Sequence, residues 1–335
     1  MSQEIEIRFD VRADDISRLA RNPAFDGLAA GRATTRLLSS VYYDTPELRL
    51  AKAGLSLRVR KTGRSFVQTV KSENSGMLAS DRGEYECKLP SASPDLRLIP
   101  DPDVRERLQA IASEAPVEPV IETEIRRTTR ALKTQAGDEI ELALDRGEIR
   151  TLMNGHSVVP VSEIELELKH GSSAALYDVA RLLSRETPLT VNMESKAERG
   201  IRALEGRDIA PRKAGRVMLA PDATAEEAFR ATLLHCLRHI ARNTAAIANA
   251  RDPEGVHQIR VGLRRLRAAL SVFGDAFEVG PFEELRARAK SLGDAFGTTR
   301  ELDVFAFDLL TPVEKCSKKA GLPHLRLVLE ELRRQ

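Results

Sequence analysis

The amino-acid sequence predicts an α+β protein in which an antiparallel β-sheet or barrel comes first and a set of helices follows. Residues 3 to about 170 alternate apolar and charged side chains, and this period of two is typical of β-strands. Short turn sequences separate these stretches, and Asn154-Gly155 is a strong hairpin marker. After residue 223 the apolar residues recur at the spacing of an α-helix instead.

The clearest strands each place their charges on one face. In the first of them, Glu4, Glu6 and Arg8 share one face and three apolar residues share the other. The strands with this pattern are 4–9, 55–60, 139–145 and 163–169. Because hairpin turns rather than long crossovers connect such stretches, they favour an antiparallel sheet or barrel over a parallel one.

Helical periodicity divides the chain into domains. Short helices are predicted at 14–21, 101–113 and 172–185, between the strands. Longer ones are predicted at 225–250, 255–273, 281–293, 299–310 and 320–334. Glycine and proline interrupt residues 206–223. We therefore predict a β-rich domain over residues 1–205, a linker over 206–223 and a helical domain over 224–335.

Composition excludes several classes of protein. The 335 residues have a formal net charge of only +2, so charge alone identifies no partner. Cys87, Cys236 and Cys316 form no CxxC pair, which favours a reducing cytoplasm. No apolar run reaches the roughly 18 residues that a membrane span needs. The lack of tryptophan argues against a stacking surface for nucleic acid, so we expect neither a membrane nor a nucleic-acid partner.

Two interpretations of the charged strand faces are open from the pattern. Most alternating strands turn their polar face to solvent, and that interpretation needs no function. However, like charges stand two residues apart, as in Glu163 and Glu165 or in Arg58 and Arg60, and like charges on one face repel. Clustered carboxylates suit Mg²⁺ or Mn²⁺, and clustered arginines suit phosphate oxygens. A wet barrel interior that collects both clusters would hold a metal-bound phosphate chain.

A series of short motifs follows in order along the β-rich domain. It begins with Glu4-Ile5-Glu6-Ile7-Arg8 and Tyr43-Asp44-Thr45-Pro46. The later members are Leu55-Ser56-Leu57-Arg58-Val59-Arg60, Gln68-Thr69-Val70-Lys71, Arg82-Gly83-Glu84-Tyr85-Glu86, Glu165-Leu166-Glu167 and Ser195-Lys196-Ala197-Glu198-Arg199-Gly200. Together these motifs resemble the CYTH family of triphosphate tunnel metalloenzymes, whose signature is Glu-x-Glu-x-Lys.

The resemblance implies an eight-stranded antiparallel barrel that forms a tunnel and cleaves triphosphates with a metal-positioned water. It implies that the carboxylates that hold Mg²⁺ or Mn²⁺ and support catalysis are Glu4, Glu6, Asp145, Glu165 and Glu167. The implied phosphate-binding residues are Arg8, Arg58, Arg60, Lys71, Arg82, Arg127 and Lys196. The further acidic residues expected in the tunnel are Glu84, Glu86, Glu141 and Glu163.

One position departs from the family signature, because Arg8 stands where the family has lysine. A planar guanidinium keeps the charge but replaces a compact donor, so phosphate binding is expected to persist better than turnover. Family members act on inorganic triphosphate, thiamine triphosphate, RNA 5′ ends or ATP. We expect inorganic triphosphate, because no aromatic cluster is evident for an organic ring. A non-catalytic polyphosphate-binding protein and an adenylate cyclase are the alternatives.

The helical domain contains one concentrated basic stretch, with His257, Arg260, Arg264 and Arg267 spaced to share a helix face and Arg265 beside them. A solvated face is one interpretation, but no acidic residue stands four positions away to neutralise the arginines. The stretch, with Leu292-Gly293 and residues 300–304, resembles the CHAD domain, whose members bind polyphosphate. About one half of such a domain is expected, and its exposed apolar faces would favour a homo-oligomer.

Overall fold

The chain divides between Asp208 and Ile209 into two compact units. The computed structural model describes residues 3–72, 80–153, 155–248, 252–274, 280–303 and 312. The first unit contains all the strands of the described residues, and the second contains helices only. The α+β class predicted from the change of period is therefore confirmed.

The first unit is a closed antiparallel β-barrel. Its strands are β1 (Gln3–Asp10), β2 (Thr34–Asp44), β3 (Leu55–Thr62), β4 (Ser65–Ser72), β5 (Ser80–Leu89), β6 (Glu118–Lys133), β7 (Glu139–Thr151), β8 (Val158–His170) and the short β9 (Thr190–Val191). The hydrogen-bonded order is β5-β4-β3-β2-β6-β7-β8-β1, and β5 also pairs with β1, which closes the ring. The eight-stranded barrel is thus confirmed, and β9 adds to it by pairing with β1.

The barrel is apolar outside and charged inside, at the strands where the alternation is clearest. Ile7 and Phe9 of β1 pack with Leu142 of β7 and with Leu176 and Leu183, two residues of a helix that covers the outer wall. The residues between them in sequence point to the interior. The hydrophobic effect therefore stabilises the packing of the helices against the outside of the barrel wall. This arrangement explains why helices interrupt the strands.

The helices of the first unit are α1 (Ala13–Leu19), α2 (Arg49–Lys52), α3 (Pro102–Glu114), α4 (Ala174–Glu186) and α5 (Lys196–Leu204). The sequence signals of α3 work as expected, because the Asp101 carboxylate accepts a hydrogen bond from the Val104 N–H at 3.0 Å and Pro102 occupies the first turn. The start of α5 is closed by a capping box between Ser195 and Glu198.

The second unit contains α6 (Ala225–Ala248), α7 (Pro253–Gly274) and α8 (Gly280–Asp303). Phe229 of α6 packs with Ile259, Leu263 and Leu266 of α7. Two separate helices were predicted at 281–293 and 299–310, but α8 runs unbroken through Asp303. The helix predicted at 320–334 lies outside the described residues. None of the helices in the described part of the chain has both the length and the apolar character that a bilayer span requires.

Candidate functional site: a charged barrel cavity

The barrel encloses a cavity of about 510 Å³ whose wall is largely charged. The basic residues that line it are Arg8, Arg58, Arg60, Lys71, Arg127, Lys169 and Lys196. The acidic residues that line it are Glu6, Glu84, Glu86, Glu141, Glu165 and Glu167. Most of the residues singled out from the sequence therefore meet in one cavity.

The register of the strands arranges the acidic residues in rows. On β1, β8 and β7 the opposed residues are Glu6–Glu167–Glu141, Arg8–Glu165–Ala143 and Asp10–Glu163–Asp145. Residues opposite one another in adjacent strands have their side chains on the same face, so each row crosses the inner wall. Arg127 of β6 lies opposite Asp145 and extends the third row with a cation.

Three carboxylates of this wall converge. One oxygen each of Asp145, Glu163 and Glu165 can be chosen so that all lie within 4.8 Å of one another. Such an oxygen-only set fits a hard divalent cation such as Mg²⁺ or Mn²⁺. Asp145 and Glu163 are fully buried, and neither lines the cavity itself. They contact it through the cations that they bind.

Two cations that line the cavity contact this acidic cluster. Lys196, at the first turn of α5, places Nζ 2.8 Å from Asp145 Oδ2 and 2.8 Å from Glu165 Oε1, and it also contacts Glu163. Arg127 donates from Nε to Asp145 Oδ1 at 2.7 Å and also contacts Glu165. The carboxylates therefore hold two of the predicted phosphate-binding side chains at the cavity wall.

These contacts shift the pKa values of the groups that make them. Burial acts to raise the pKa of Glu165, but Lys196 and Arg127 outweigh it and hold that pKa well below its ordinary range. Burial acts to lower the pKa of Lys196, but Glu163, Glu165 and Asp145 together raise it above its ordinary value. Both side chains are accordingly charged at neutral pH.

The opposite wall, on β3, β4 and β5, is basic. Arg58 donates to Thr69 Oγ1 at 3.0 Å and lies 3.7 Å from Glu84, while Lys71 Nζ lies 3.1 Å from the other oxygen of Glu84. Arg58 also lies 3.9 Å from Glu86, which is half-exposed. Glu84 and Glu86 thus orient the basic residues of this wall.

Arg60 differs from its neighbours, because within the described part of the chain it forms no ion pair. Its Nε donates to the hydroxyl oxygen of Ser40 at 3.2 Å. Burial first, and then the nearby charge of Arg58, lowers the pKa of Arg60 to about 10. A half-buried cation held close to other cations is unfavourable until an anion joins it. This side chain therefore marks the part of the cavity best suited to an anion.

Arg8, the departure from the family signature, is 7% exposed and lies 3.7 Å from Glu6. Burial acts to lower its pKa, but Glu6, Glu163 and Glu165 outweigh this and raise it. Glu4 and Arg82 are opposed in the β1–β5 pairing, but their side chains lie outside the described residues. The metal-binding role of Glu4 and the phosphate-binding role of Arg82 remain predictions.

Two residues of this region, Lys169 and Arg199, were not predicted from their motifs. Lys169 lines the cavity beside Glu167, at an Nζ–Oε1 distance of 2.5 Å, and its parity with Glu165 and Glu167 was the available signal. Arg199 binds the buried Glu163, as described below, and its position one helical turn after Lys196 was the signal. Asp44 of the Tyr43-Asp44-Thr45-Pro46 motif is structural, because its carboxylate accepts hydrogen bonds from three backbone N–H groups.

In the second unit the basic residues of α7 have different surroundings. Arg260 donates to the carbonyl oxygen of Gly293 at 2.7 Å, and Arg265 donates to that of Gly215 at 3.3 Å. Arg264 is exposed, and His257 and Arg267 are half-buried. The Nε of Arg267 is buried and has no hydrogen-bond partner among the described residues. The predicted polyphosphate-binding role of this helix stays a prediction.

Comparison with known proteins gives two family matches. A model described as "CYTH domain" matches residues 2–201, and one described as "CHAD domain" matches residues 231–335. An inorganic triphosphatase of Haemophilus influenzae is 29% identical over 163 residues, which cover 49% of this chain and 45% of that protein. The uncharacterized protein Rv2226 of Mycobacterium tuberculosis is 26% identical over 316 residues, 90% of this chain and 58% of that protein. The chain thus spans about half the length of these relatives.

Among solved structures the matches have low sequence identity and low TM-scores. The PH1819 protein of Pyrococcus horikoshii OT3 matches with a TM-score of 0.36 and 17% sequence identity. The match covers 61% of this chain and 99% of that one.

Proposed function

The chain belongs to the CYTH family and continues into a CHAD domain, and from this premise we propose that it hydrolyses inorganic triphosphate to pyrophosphate and phosphate in the barrel cavity. The observation that supports this most is the half-buried Arg60, which lacks an ion-pair partner among the described residues and lines the same cavity as the carboxylates of the acidic wall. A triphosphate chain would neutralise the basic wall, and the acidic wall would face its metal ion.

The donor set favours Mg²⁺ or Mn²⁺ as the cofactor. Glu6, Glu165 and Glu167 line the cavity and would hold the metal, with the buried Asp145 fixing the cations beside them. When bound, such a metal supplies a Lewis acid that lowers the pKa of water and neutralises charge on the phosphate oxygens. Oxygen-only coordination is what both ions prefer, whereas a softer metal would favour nitrogen or sulfur ligands.

The basic side chains would bind and orient the phosphate oxygens. Arg58 and Arg60 project from β3 at alternate positions, and Lys71 follows on β4 opposite Ser56. Arginine can bind phosphate oxygens bidentately, and charge-assisted hydrogen bonds of this kind are about twice as strong as neutral ones. Tyr42 is the one aromatic residue of the cavity lining within the described residues, which favours inorganic triphosphate over a nucleotide.

The test is phosphate release from inorganic triphosphate with Mg²⁺ or Mn²⁺ titrated in turn. We expect Lys71→Ala and Glu165→Ala each to lower kcat/KM by about a hundredfold or more, because each removes a charged group from the reacting region. Lys61→Ala and Glu124→Ala are matched controls, since both side chains are exposed on the same barrel, and they should retain wild-type turnover. Full activity in both cavity variants would contradict the site assignment.

The same assay separates the two alternatives. A non-catalytic polyphosphate-binding protein would bind triphosphate in a calorimeter but release no phosphate, and Arg8 in place of lysine is the feature that favours it. An adenylate cyclase would convert ATP to cyclic AMP and pyrophosphate. Arg8→Lys is therefore informative, because restoring a compact donor should raise turnover if that donor limits the reaction.

We further infer that the CHAD helices bind polyphosphate through α7. Arg264 is exposed, and the Arg267 guanidinium retains an unsatisfied Nε among the described residues. Binding of long-chain polyphosphate should weaken in Arg264→Ala and should fall steeply with salt, since the interaction is ionic. Unchanged binding in a His257→Ala, Arg264→Ala double variant would place the polyphosphate elsewhere.

A further inference from the structure

Arg199 is buried beside the cavity but is not one of the residues that line it. Its Nη1 donates to Glu163 Oε2 at 2.8 Å, and its Nη2 donates to the carbonyl oxygen of Pro160 at 2.8 Å. Nη1 also lies 3.6 Å from Asp10 Oδ1. The guanidinium therefore connects α5 to β8 and β1 without entering the cavity.

Glu163 links Arg199 to Lys196. Its carboxylate is fully buried, and its two oxygens are divided, with Oε1 contacting Lys196 Nζ and Oε2 accepting from Arg199. Lys196 and Arg199 are three positions apart on α5, so both side chains leave the helix on the same side. One of these cations lines the cavity, and the other lies behind it.

The sharing of Glu163 determines how strongly Lys196 is held. In the described part of the chain, the cations within ion-pair distance of Glu163 are Lys196 and Arg199. Asn192 also donates to Glu163 Oε2, at 3.4 Å, but it carries no charge. A buried carboxylate that loses one of two cations is left poorly neutralised. Without Arg199, Lys196 would be the one cation among the described residues in contact with Glu163, so its ammonium would be bound more strongly to Glu163 and less to Glu165 and the cavity.

Other contacts keep α5 in place independently of Arg199. Gly200 packs so closely that a Cβ there would lie 2.6 Å from Ile121 Cδ1 and 3.0 Å from Ile149 Cγ2. The capping box of Ser195 and Glu198 fixes the first turn of the helix. Replacing Arg199 should accordingly change the position of the Lys196 side chain more than the position of the helix.

We propose that Arg199 is a positioning residue that holds the Lys196 ammonium in the phosphate cavity by sharing the buried Glu163 carboxylate. The proposal rests on the proposed function, because it assumes that Lys196 binds the triphosphate. Arg199 itself does not touch the substrate.

The experiment is a double-mutant cycle on the full chain with Lys196→Met, Arg199→Met and the double variant. Each is measured by kcat/KM for inorganic triphosphate with Mg²⁺ and by the calorimetric Kd for triphosphate. Lys196→Met should lose about a hundredfold in kcat/KM. Arg199→Met should lose about tenfold, as expected for a partner one contact removed from the substrate. The double variant should match Lys196→Met within about twofold, because both changes act through one ammonium group.

Two further variants distinguish positioning from general support of the helix. Arg199→Lys keeps a cation for Glu163 and should recover part of the activity lost in Arg199→Met. Arg202→Met is the matched control, since Arg202 is on the same helix, pairs with Glu194 at 3.1 Å and lies outside the cavity lining. It should retain wild-type kcat/KM. A loss of kcat/KM in Arg202→Met equal to that in Arg199→Met would overturn the proposal, because removing any ion pair of α5 would then have the same effect.

The remaining outcomes each have a definite meaning. Additive losses in the cycle, or wild-type kinetics in Arg199→Met, overturn the role of Arg199 while leaving the proposed function in place. If Arg199→Met does not fold, Arg199→Gln takes its place in the cycle, because glutamine removes the charge and keeps a donor for Glu163. Wild-type Kd and kcat/KM in that variant would likewise overturn the role of Arg199. A wild-type protein that neither binds nor cleaves triphosphate would remove the proposed function and this role together.

Discussion

Arg60→Met is predicted to stabilise the ligand-free barrel while weakening triphosphate binding. The lowering of the Arg60 pKa to about 10 corresponds to about 3 kcal/mol of unfavourable free energy in its charged form, at about 1.4 kcal/mol for each tenfold change. At neutral pH the guanidinium is charged in both the folded and the unfolded chain, so this whole cost acts on folding. Methionine removes the charge and retains part of the apolar stem. We therefore expect a net gain of about 1–2 kcal/mol in unfolding free energy, after some packing is lost.

The assay must report on the barrel separately from the helical unit. Urea unfolding followed by hydrogen exchange of peptides from β3 and β4 meets this requirement, and it is run in a buffer without phosphate so that no anion occupies the cavity. Calorimetry then gives the Kd for triphosphate, which we expect to weaken by about thirtyfold, the equivalent of about 2 kcal/mol for a charged hydrogen bond. Lys61→Met, the exposed neighbour on the same strand, should change neither quantity. The reasoning would be refuted if ligand-free Arg60→Met were less stable than wild type and bound triphosphate with an unchanged Kd, because the Arg60 charge would then not be an unneutralised charge that awaits an anion.

Three further predictions concern other parts of the fold. Gly200→Ala should lower the melting temperature of the barrel and reduce kcat/KM, because the added Cβ meets Ile121 and overpacking of this kind costs about 1–3 kcal/mol; an unchanged melting temperature would show that α5 can shift. Asp44→Ala should destabilise the barrel by about 2 kcal/mol, because three backbone N–H groups lose their acceptor, and Asp44→Asn should lose less; urea midpoints compare the two. Burial, with the nearby charge of Arg265, lowers the pKa of His239, so the unfolded chain takes up a proton first as the pH falls. The helical unit should therefore be fully stable above about pH 6.5 and lose stability below it. His239→Gln should flatten this pH dependence, measured as the urea midpoint of the full chain followed by hydrogen exchange in peptides from α6 and α7.

The alternation of the sequence predicted which side chains share a face of each strand, but neither which face is inward nor the depth of each side chain. Glu163, Glu165 and Glu167 share one face of β8, as their spacing indicated. Glu163 is nevertheless fully buried, whereas Glu165 and Glu167 line the cavity. Their contacts with α5, a later element of the chain, differ as well: Lys196 contacts both Glu163 and Glu165, whereas Arg199 contacts Glu163. A period of two fixes the side of a strand, but only tertiary contacts decide which charges are sealed from water.

In the helical unit, the sequence pattern predicted a helix break that the structure does not have. Separate helices were predicted on either side of residues 294–298, and Gly293 and Gly297 stand at this point, where glycine disfavours a helix interior. In the structure α8 continues through both, and Arg260 of α7 donates to the carbonyl oxygen of Gly293. A Cβ at position 297 would lie 2.8 Å from Arg260 Nη1. Here glycine allows the long Arg260 side chain to approach the helix closely. The sequence pattern alone does not distinguish a glycine with this role from one that ends a helix.

The placement of the apolar clusters explains how a barrel with a charged interior remains folded. One cluster joins β1, β7 and β8 to α1 and α4, a second packs Ile121 and Ile149 against α5, and a third packs Leu57 and Val70 near Val104 and Leu108 of α3. Because apolar burial lies outside the wall, the charges inside can be arranged for an anion and a metal at little expense in packing. Substitutions in the cavity should accordingly separate activity from stability, as Arg60→Met is expected to do. Substitutions in the outer clusters, such as Leu176→Ala, should reduce both in proportion, since they move the strands that set the rows of charge.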